Sequence, residues 1–249
     1  MIRLYLLTAL IGVFSALRAA ETPIFINFEE FSYRIYSFGL SVGVATVTFQ
    51  SGQTLEITLA AESRGLADLL VPFRISCHSV YDPRTLRTIE YSQKVRFKKI
   101  SEYFVIRQVN NFFSLYFLVE PESEMYKKYA CFEDRGYCVE GYKSLRLTNF
   151  YKTGEVDDPL SLLYRMRCFS KESILQITLP VIIGNQFREI KVIRSKNGHG
   201  VELKPDLNIP GVFPPDAKGS ILFSSAEPPV PERVDLDVPG LGRFRITRY

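Results

Sequence analysis

The sequence predicts a mainly β protein, an antiparallel sheet with one main α-helix and short helical inserts. Three observations carry that expectation. Apolar and polar residues alternate with a period of two in one short segment after another. Asn, Gly, Pro and Asp pairs punctuate those segments as turns do. Only one stretch, DDPLSLLYRMRCF, combines a helix start with helical spacing of its apolar residues.

The first elements lie in Phe31 to Gln50, FSYRIYSFGLSVGVATVTFQ, which reads as two strands about a glycine-containing corner. Phe31, Tyr33 and Ile35 share one face of an extended chain, and Ser32 and Arg34 the other. Val42, Val44, Thr46 and Thr48 then alternate with Gly43, Ala45, Val47 and Phe49. Gly39 and Gly43 mark places for a bend, a bulge or a close neighbour, because glycine has no Cβ.

Thr54 to Ser63 continues the pattern, and Gly65 to Val71 is a short helical or turn insert ended by Pro72. Arg74 to Tyr81 is a further strand before the Asp82-Pro83 turn. Thr85 to Phe97 and Ser101 to Val109 are strands joined by Lys98-Lys99, and Asn110-Asn111 turns into Phe112 to Glu120. Pro121 to Glu124 is a polar turn. Beyond it, CFEDRGYC reads as a hairpin tip.

The helix is expected over Pro159 to Phe169, with Asp158 as N-cap and Pro159 at the first helical position. Its apolar residues fall on two stripes, so most of its girth should be covered by protein. Asp157 and Asp158 are then cap and dipole partner rather than a catalytic pair. Strands resume at Ile174 to Leu179 and Gln186 to Arg194, separated by the region Pro180 to Gly184. Lys196-Asn197-Gly198 is a hairpin signal leading to Gly200 to Leu203. Pro205 to Lys218 is a proline-rich connection, not a domain linker, since Gly219 to Ser225, Pro231 to Val238 and Arg243 to Tyr249 are strands again.

Residues 1–20, MIRLYLLTALIGVFSALRAA, have the layout of a secretory signal peptide: Arg3, an apolar stretch from Leu4 to Leu17, and small residues Ala19 and Ala20. Arg18 or Leu17 at the third position before the cut makes an uncleaved N-terminal anchor in the inner membrane the alternative. Residues 21–249 then form a single β-rich exported domain, with no later apolar run long enough to span a bilayer. Loss of Arg3 and Arg18 lowers the formal charge from +4 to +2, which argues against nucleic acid as a partner.

Four cysteines remain, Cys77, Cys131, Cys138 and Cys168. Export permits disulfides, and Cys131 with Cys138 across their hairpin is the candidate bridge, with Cys77 and Cys168 the residual pair. No CxxC and only two histidines argue against a metal. Cys77 and His78 are neighbours on a strand and point to opposite faces, so they form no dyad. No GxSxG, HExxH or Ser–Lys signature appears, and Glu56, Glu90 and Glu102 have no certifying spacing. No catalytic, cofactor-binding or metal-binding residue is assigned.

Several segments resemble the exported bacterial domain-of-unknown-function family 3108. They are Tyr33 to Tyr36, then Gly39-Leu40-Ser41-Val42-Gly43-Val44-Ala45, Gly65 to Leu70, Val80 to Asp82, Asp158 to Arg167, Ile221 to Ser225, Pro228 to Val238 and Gly242 to Tyr249. Leu222, Phe223, Ser225 and Ala226 stand where that pattern carries a tryptophan and acidic residues. The resemblance implies a large curved antiparallel sheet, half-barrel-like, in the bacterial envelope, and it implies no catalytic residue.

The resulting expectation is a non-enzymatic exported or periplasmic envelope protein. Its concave sheet face would hold a lipid or other apolar ligand, because FFSLYFLV and SLLYRMRCF are apolar on both faces. The competing reading is that these residues fill a two-layer core. An envelope scaffold docking other proteins by its sheet edges or the RFKK turn is the alternative function, and a hydrolase a third.

Overall fold

The computed structural model describes residues 27–70, 72–97, 100–109, 112–121, 143–147, 156–171, 173–183, 186–197, 200–207, 216–240 and 242–249. Among them, fourteen strands form one antiparallel sheet. They are β1 (Phe28–Ser37), β2 (Leu40–Ser51), β3 (Leu55–Ser63), β4 (Phe73–Asp82), β5 (Arg87–Phe97), β6 (Ile100–Val109), β7 (Phe112–Pro121) and β8 (Lys143–Leu147), followed by β9 (Gln176–Ile183), β10 (Gln186–Asn197), β11 (Gly200–Pro205), β12 (Lys218–Ser224), β13 (Pro231–Val238) and β14 (Gly242–Arg248). Helix α1 (Leu66–Leu70) joins β3 to β4, and helix α2 (Pro159–Ser170) lies between β8 and β9.

The sheet order is β8-β7-β6-β5-β4-β3-β2-β1-β14-β13-β12-β11-β10-β9. Adjacent strands are therefore consecutive in the chain except at one seam, where β1 meets β14 with Ile35 opposite Ile246, and the consecutive strands β8 and β9 form the two ends. Period-two alternation drives the pairing, because one face of each strand must be dry. Leu55, Ile57, Leu59 and Ala61 of β3 point inward, as do Ile75, Cys77, Ser79 and Tyr81 of β4.

Helix α2 fills the concave side. All its residues are buried, and it packs against β3, β4, β9 and β11. The sheet is curled far enough around it that one short strap spans the gap between β5 and β9. Val156 bridges Arg87 of β5, and Asp157 bridges Val181 of β9.

The glycine expectations are met by backbone geometry. Ser37 pairs with Leu40, leaving a two-residue turn in which Phe38 and Gly39 both have positive φ, +51° and +80°. A Cβ on Gly43 would lie 2.4 Å from the Glu62 carbonyl oxygen, so only glycine admits β3 this closely. The ladder shifts register beside it, between Ile35 and Tyr36.

Two expectations are corrected. Pro180 does not end a strand: β9 runs through it to Ile183. The Pro180 carbonyl accepts from Asp157 N in the strap (3.1 Å), so its missing N–H lies on the side away from β10 and no ladder bond is lost. Cys77 and Cys168 are not bridged but are two buried thiols. Cys131 and Cys138, the expected bridge, lie outside the described residues.

Candidate functional site

The molecule buries an unusual amount of charge along α2. Asp157, Asp158, Arg165 and Arg167 are each no more than 1% exposed. A buried charge is tolerated only when paired and hydrogen-bonded. The strap carries Asp157 and Asp158 to the end of α2, where β4 contributes Ser79 and β5 contributes Thr88.

Asp158 caps the helix: its Oδ1 accepts from Leu160 N (2.7 Å) and Ser161 N (3.1 Å). Its Oδ2 accepts from the hydroxyls of Ser79 and Thr88, both at 2.7 Å. Its own N–H donates to Ser161 Oγ (2.9 Å) and Thr88 Oγ1 (3.0 Å), completing a capping box tied into the sheet. Burial raises the Asp158 pKa, against the pull of the four bonds it accepts. Those four bonds occupy the acceptor positions of the carboxylate. Asp157 Oδ2 accepts from Arg165 Nη1 at 2.7 Å, an ion pair with both side chains fully buried.

The other end of α2 is fixed to a different part of the sheet. Arg167 Nη1 donates to Glu29 Oε2 of β1 (2.6 Å), and its Nε donates to the Pro229 carbonyl ahead of β13 (2.8 Å). Its guanidinium lies over the rings of Phe49 (4.8 Å) and Phe31 (5.4 Å). Tyr33 donates to the Pro231 carbonyl at 3.0 Å, and burial holds its hydroxyl in the protonated form. The Cys77 thiol faces Tyr91, and burial pushes its pKa up to about 12, so it stays protonated and unreactive.

This constellation does structural chemistry. It ties α2 to the sheet at both ends, and the Asp158 carboxylate spends its acceptor positions within it. The sequence reading located the cap and its proline but missed Ser79, Thr88, Arg165 and Arg167. No periodicity marks a serine or threonine whose partner lies about seventy residues away. The remaining residues singled out lie elsewhere. His78 sits on the outer face 3.5 Å from Glu56, facing away from the buried Cys77 as expected. Glu90 pairs with Arg107 at 2.7 Å. The second histidine, His199, and the Lys98-Lys99 turn lie outside the described residues.

The open sites are on the outside. One groove of about 460 Å³ crosses β2 to β5 over Thr46, Ala60 and Ser76, with Arg64, Arg74, Lys94, Arg96 and a single acid, Glu62, around it. Another, of about 670 Å³, crosses β11 to β14, where Arg243 and Arg245 stand beside Asp237 and Asp235.

No family model matches this chain, and no curated protein matches it. Among solved structures, it is similar to the crystal structure of a beta-barrel-like protein of domain of unknown function DUF1849 from Brucella abortus. The TM-score is 0.56 at 8% identity, over 92% of this chain and 98% of that one. At that identity the likeness is one of fold: this chain has the β-barrel-like architecture of a domain whose function is itself unknown.

Proposed function

We propose that this is a non-enzymatic, exported envelope protein that works by holding an apolar ligand, such as an acyl chain, against its sheet. The observation that carries the reading is sheet surface beyond the part that α2 fills. The strap closes the curl between β5 and β9, and β6, β7 and β8 continue past β5 on the far side. The β7 sequence FFSLYFLVEP is apolar at both parities, a composition suited to a strand covered on both faces. The leader-like residues 1–20 support export. The Gly39, Gly43 and Ala45 pattern supports a divergent relationship to family 3108.

A second reading rests on the edge. Among the described residues the sheet ends at β8, a strand of five residues, and a sheet edge of this kind is where a partner strand adds, which favours a scaffold in the envelope. Organic extraction of the purified protein followed by mass spectrometry separates the two. A stoichiometric acyl lipid supports the first reading. A clean extract, with a partner protein cross-linked to residues Lys143 to Leu147, replaces it with the second.

A further inference from the structure

The β1–β2 turn has a residue in the wrong place for a soluble protein. A two-residue turn with positive φ at both positions favours Asn, Asp or Gly at the first, and a bulky side chain there is strained. This turn carries Phe38, at φ +51° and 78% exposed. The ring has its own seat: a Cβ on Gly242, at the start of β14, would lie 2.3 Å from Phe38 Cζ. Two neighbouring hairpins thus meet under one aromatic ring that still faces solvent. Strain retained at an exposed site points to function rather than to stability.

Phe38 is not isolated. Leu40 follows it at 71% exposure, and α1 presents Leu66 and Leu69 at 78% and 80%. The two pieces are adjacent, since α1 packs on β2 and Arg64 N donates to the Val42 carbonyl at 3.1 Å. Four large apolar side chains are therefore exposed at one end of the sheet. Single exposed apolar residues are ordinary, but a cluster of this kind marks an interaction surface.

Charge identifies the occupant. Behind the α1 tip lies the groove lined by Arg64, Arg74, Lys94 and Arg96 with Glu62, and α1 itself adds one acid, Asp68, whose Oδ1 accepts from Ser63 Oγ at 2.6 Å, so the cations remain in surplus. Arg74 pairs with Glu62 in the β3–β4 ladder, one register step from the Ala61–Ile75 pair, so the basic side chains sit a residue or two back from the apolar tips. Behind Phe38 stand Arg243 and Arg245, with Asp237 and Asp235 beside them, so the surplus positive charge lies on the α1 side. Apolar groups foremost with cations set back from them match a bilayer surface, whose acyl region lies beneath anionic headgroups.

We propose that the Phe38–Leu40 turn and α1 form a docking surface for an anionic lipid bilayer, with Phe38, Leu40, Leu66 and Leu69 entering the interface and the Arg64–Arg74–Lys94–Arg96 face meeting headgroups. The proposal concerns the outer tips of the barrel and stands independently of any ligand held on β6 to β8. Vesicle co-sedimentation of the full chain tests it without reference to lipid extraction. Vesicles of phosphatidylglycerol and phosphatidylethanolamine should bind, and raising salt should weaken that binding. Phosphatidylcholine vesicles should bind about tenfold less. Leu66→Ser combined with Leu69→Ser should reduce anionic-vesicle binding about tenfold or more, whereas Leu175→Ser, at an exposed site away from these turns, should not.

Equal binding by wild type and the paired serine variant overturns the proposal, because attachment then lies elsewhere, for example in residues 1–20. So does an absence of binding to anionic vesicles. A second measurement does not depend on loss of function. The chain contains no tryptophan, so Phe38→Trp places a lone indole at the tip. Its emission should shift blue with anionic vesicles and be quenched by brominated acyl chains. An unchanged spectrum with folded protein overturns the proposal.

Discussion

Two regions of this molecule invert the usual distribution of polarity, and they do so with opposite consequences. Along α2, charged groups lie in the interior: Asp157 with Arg165, Arg167 with Glu29, and Asp158 with Ser79, Thr88 and two backbone amides. At the β1–β2 turn and α1, large apolar groups lie in water. In the interior each charge faces a partner group, as a structural latch requires. The exterior inversion is left uncompensated by the protein itself, which is the condition of a surface that meets something else. The polar interior thus holds α2 against the sheet, and the apolar rim is the surface proposed to meet a bilayer.

The interior half of that contrast breaks most severely at Asp157. Asp157→Ala leaves Arg165 charged in a dry site and should cost about 3–5 kcal/mol in urea unfolding. Combining Asp157→Leu with Arg165→Met should restore much of that loss, since removing both charges leaves neither unpaired. Thr88→Val is the smaller test. It takes one donor from Asp158 Oδ2 and one acceptor from Asp158 N–H, for about 1–3 kcal/mol.

The exterior half predicts the opposite sign. Phe38→Asn relieves an aromatic residue of positive φ and should raise stability by about 0.5–1 kcal/mol while weakening vesicle binding. Stability and attachment would then be traded at one residue, which thermal melts and co-sedimentation of the same preparation measure together.

The interior thiol supplies the pH test. With its folded pKa pushed up to about 12, Cys77 is neutral in the fold well above the pH at which an unfolded cysteine ionises, about 8.5. Its contribution to stability is therefore complete below about pH 8.5 and is lost as pH rises toward 12. Cys77→Ala should flatten the alkaline limb of the stability–pH curve. At pH 8, Cys77 should resist a thiol-alkylating reagent in native protein and react once the chain is unfolded in urea.

Most of the sheet was legible because its signal is local. Alternation and turn residues placed β1 to β7 and β10 to β14 close to their observed bounds and found β9 but ended it early, and Asp158-Pro159 marked the start of α2. Pro180 misled because proline forbids a central strand and tolerates an outer one. The difference lies in the strap that approaches from outside, which no single segment reveals. The charged latch was illegible for a related reason. The stripes of α2 announce a covered helix, but which groups meet Arg165 and Arg167 depends on how the sheet curls around it. The apolar turn was present as residues in the first hairpin, but its exposure and the positive φ of Phe38 belong to three dimensions.

The seam between β1 and β14 carries a consequence for synthesis. Every other neighbouring pair in the sheet is joined by adjacent stretches of chain, but Tyr33 must wait for Arg248. Until β14 emerges, β1 has an open edge, and the strands that follow it can only assemble as a growing partial sheet. Long-range closure of this kind is slow relative to hairpin formation. The seam therefore cannot lock early, and β14 completes the described sheet between its two halves.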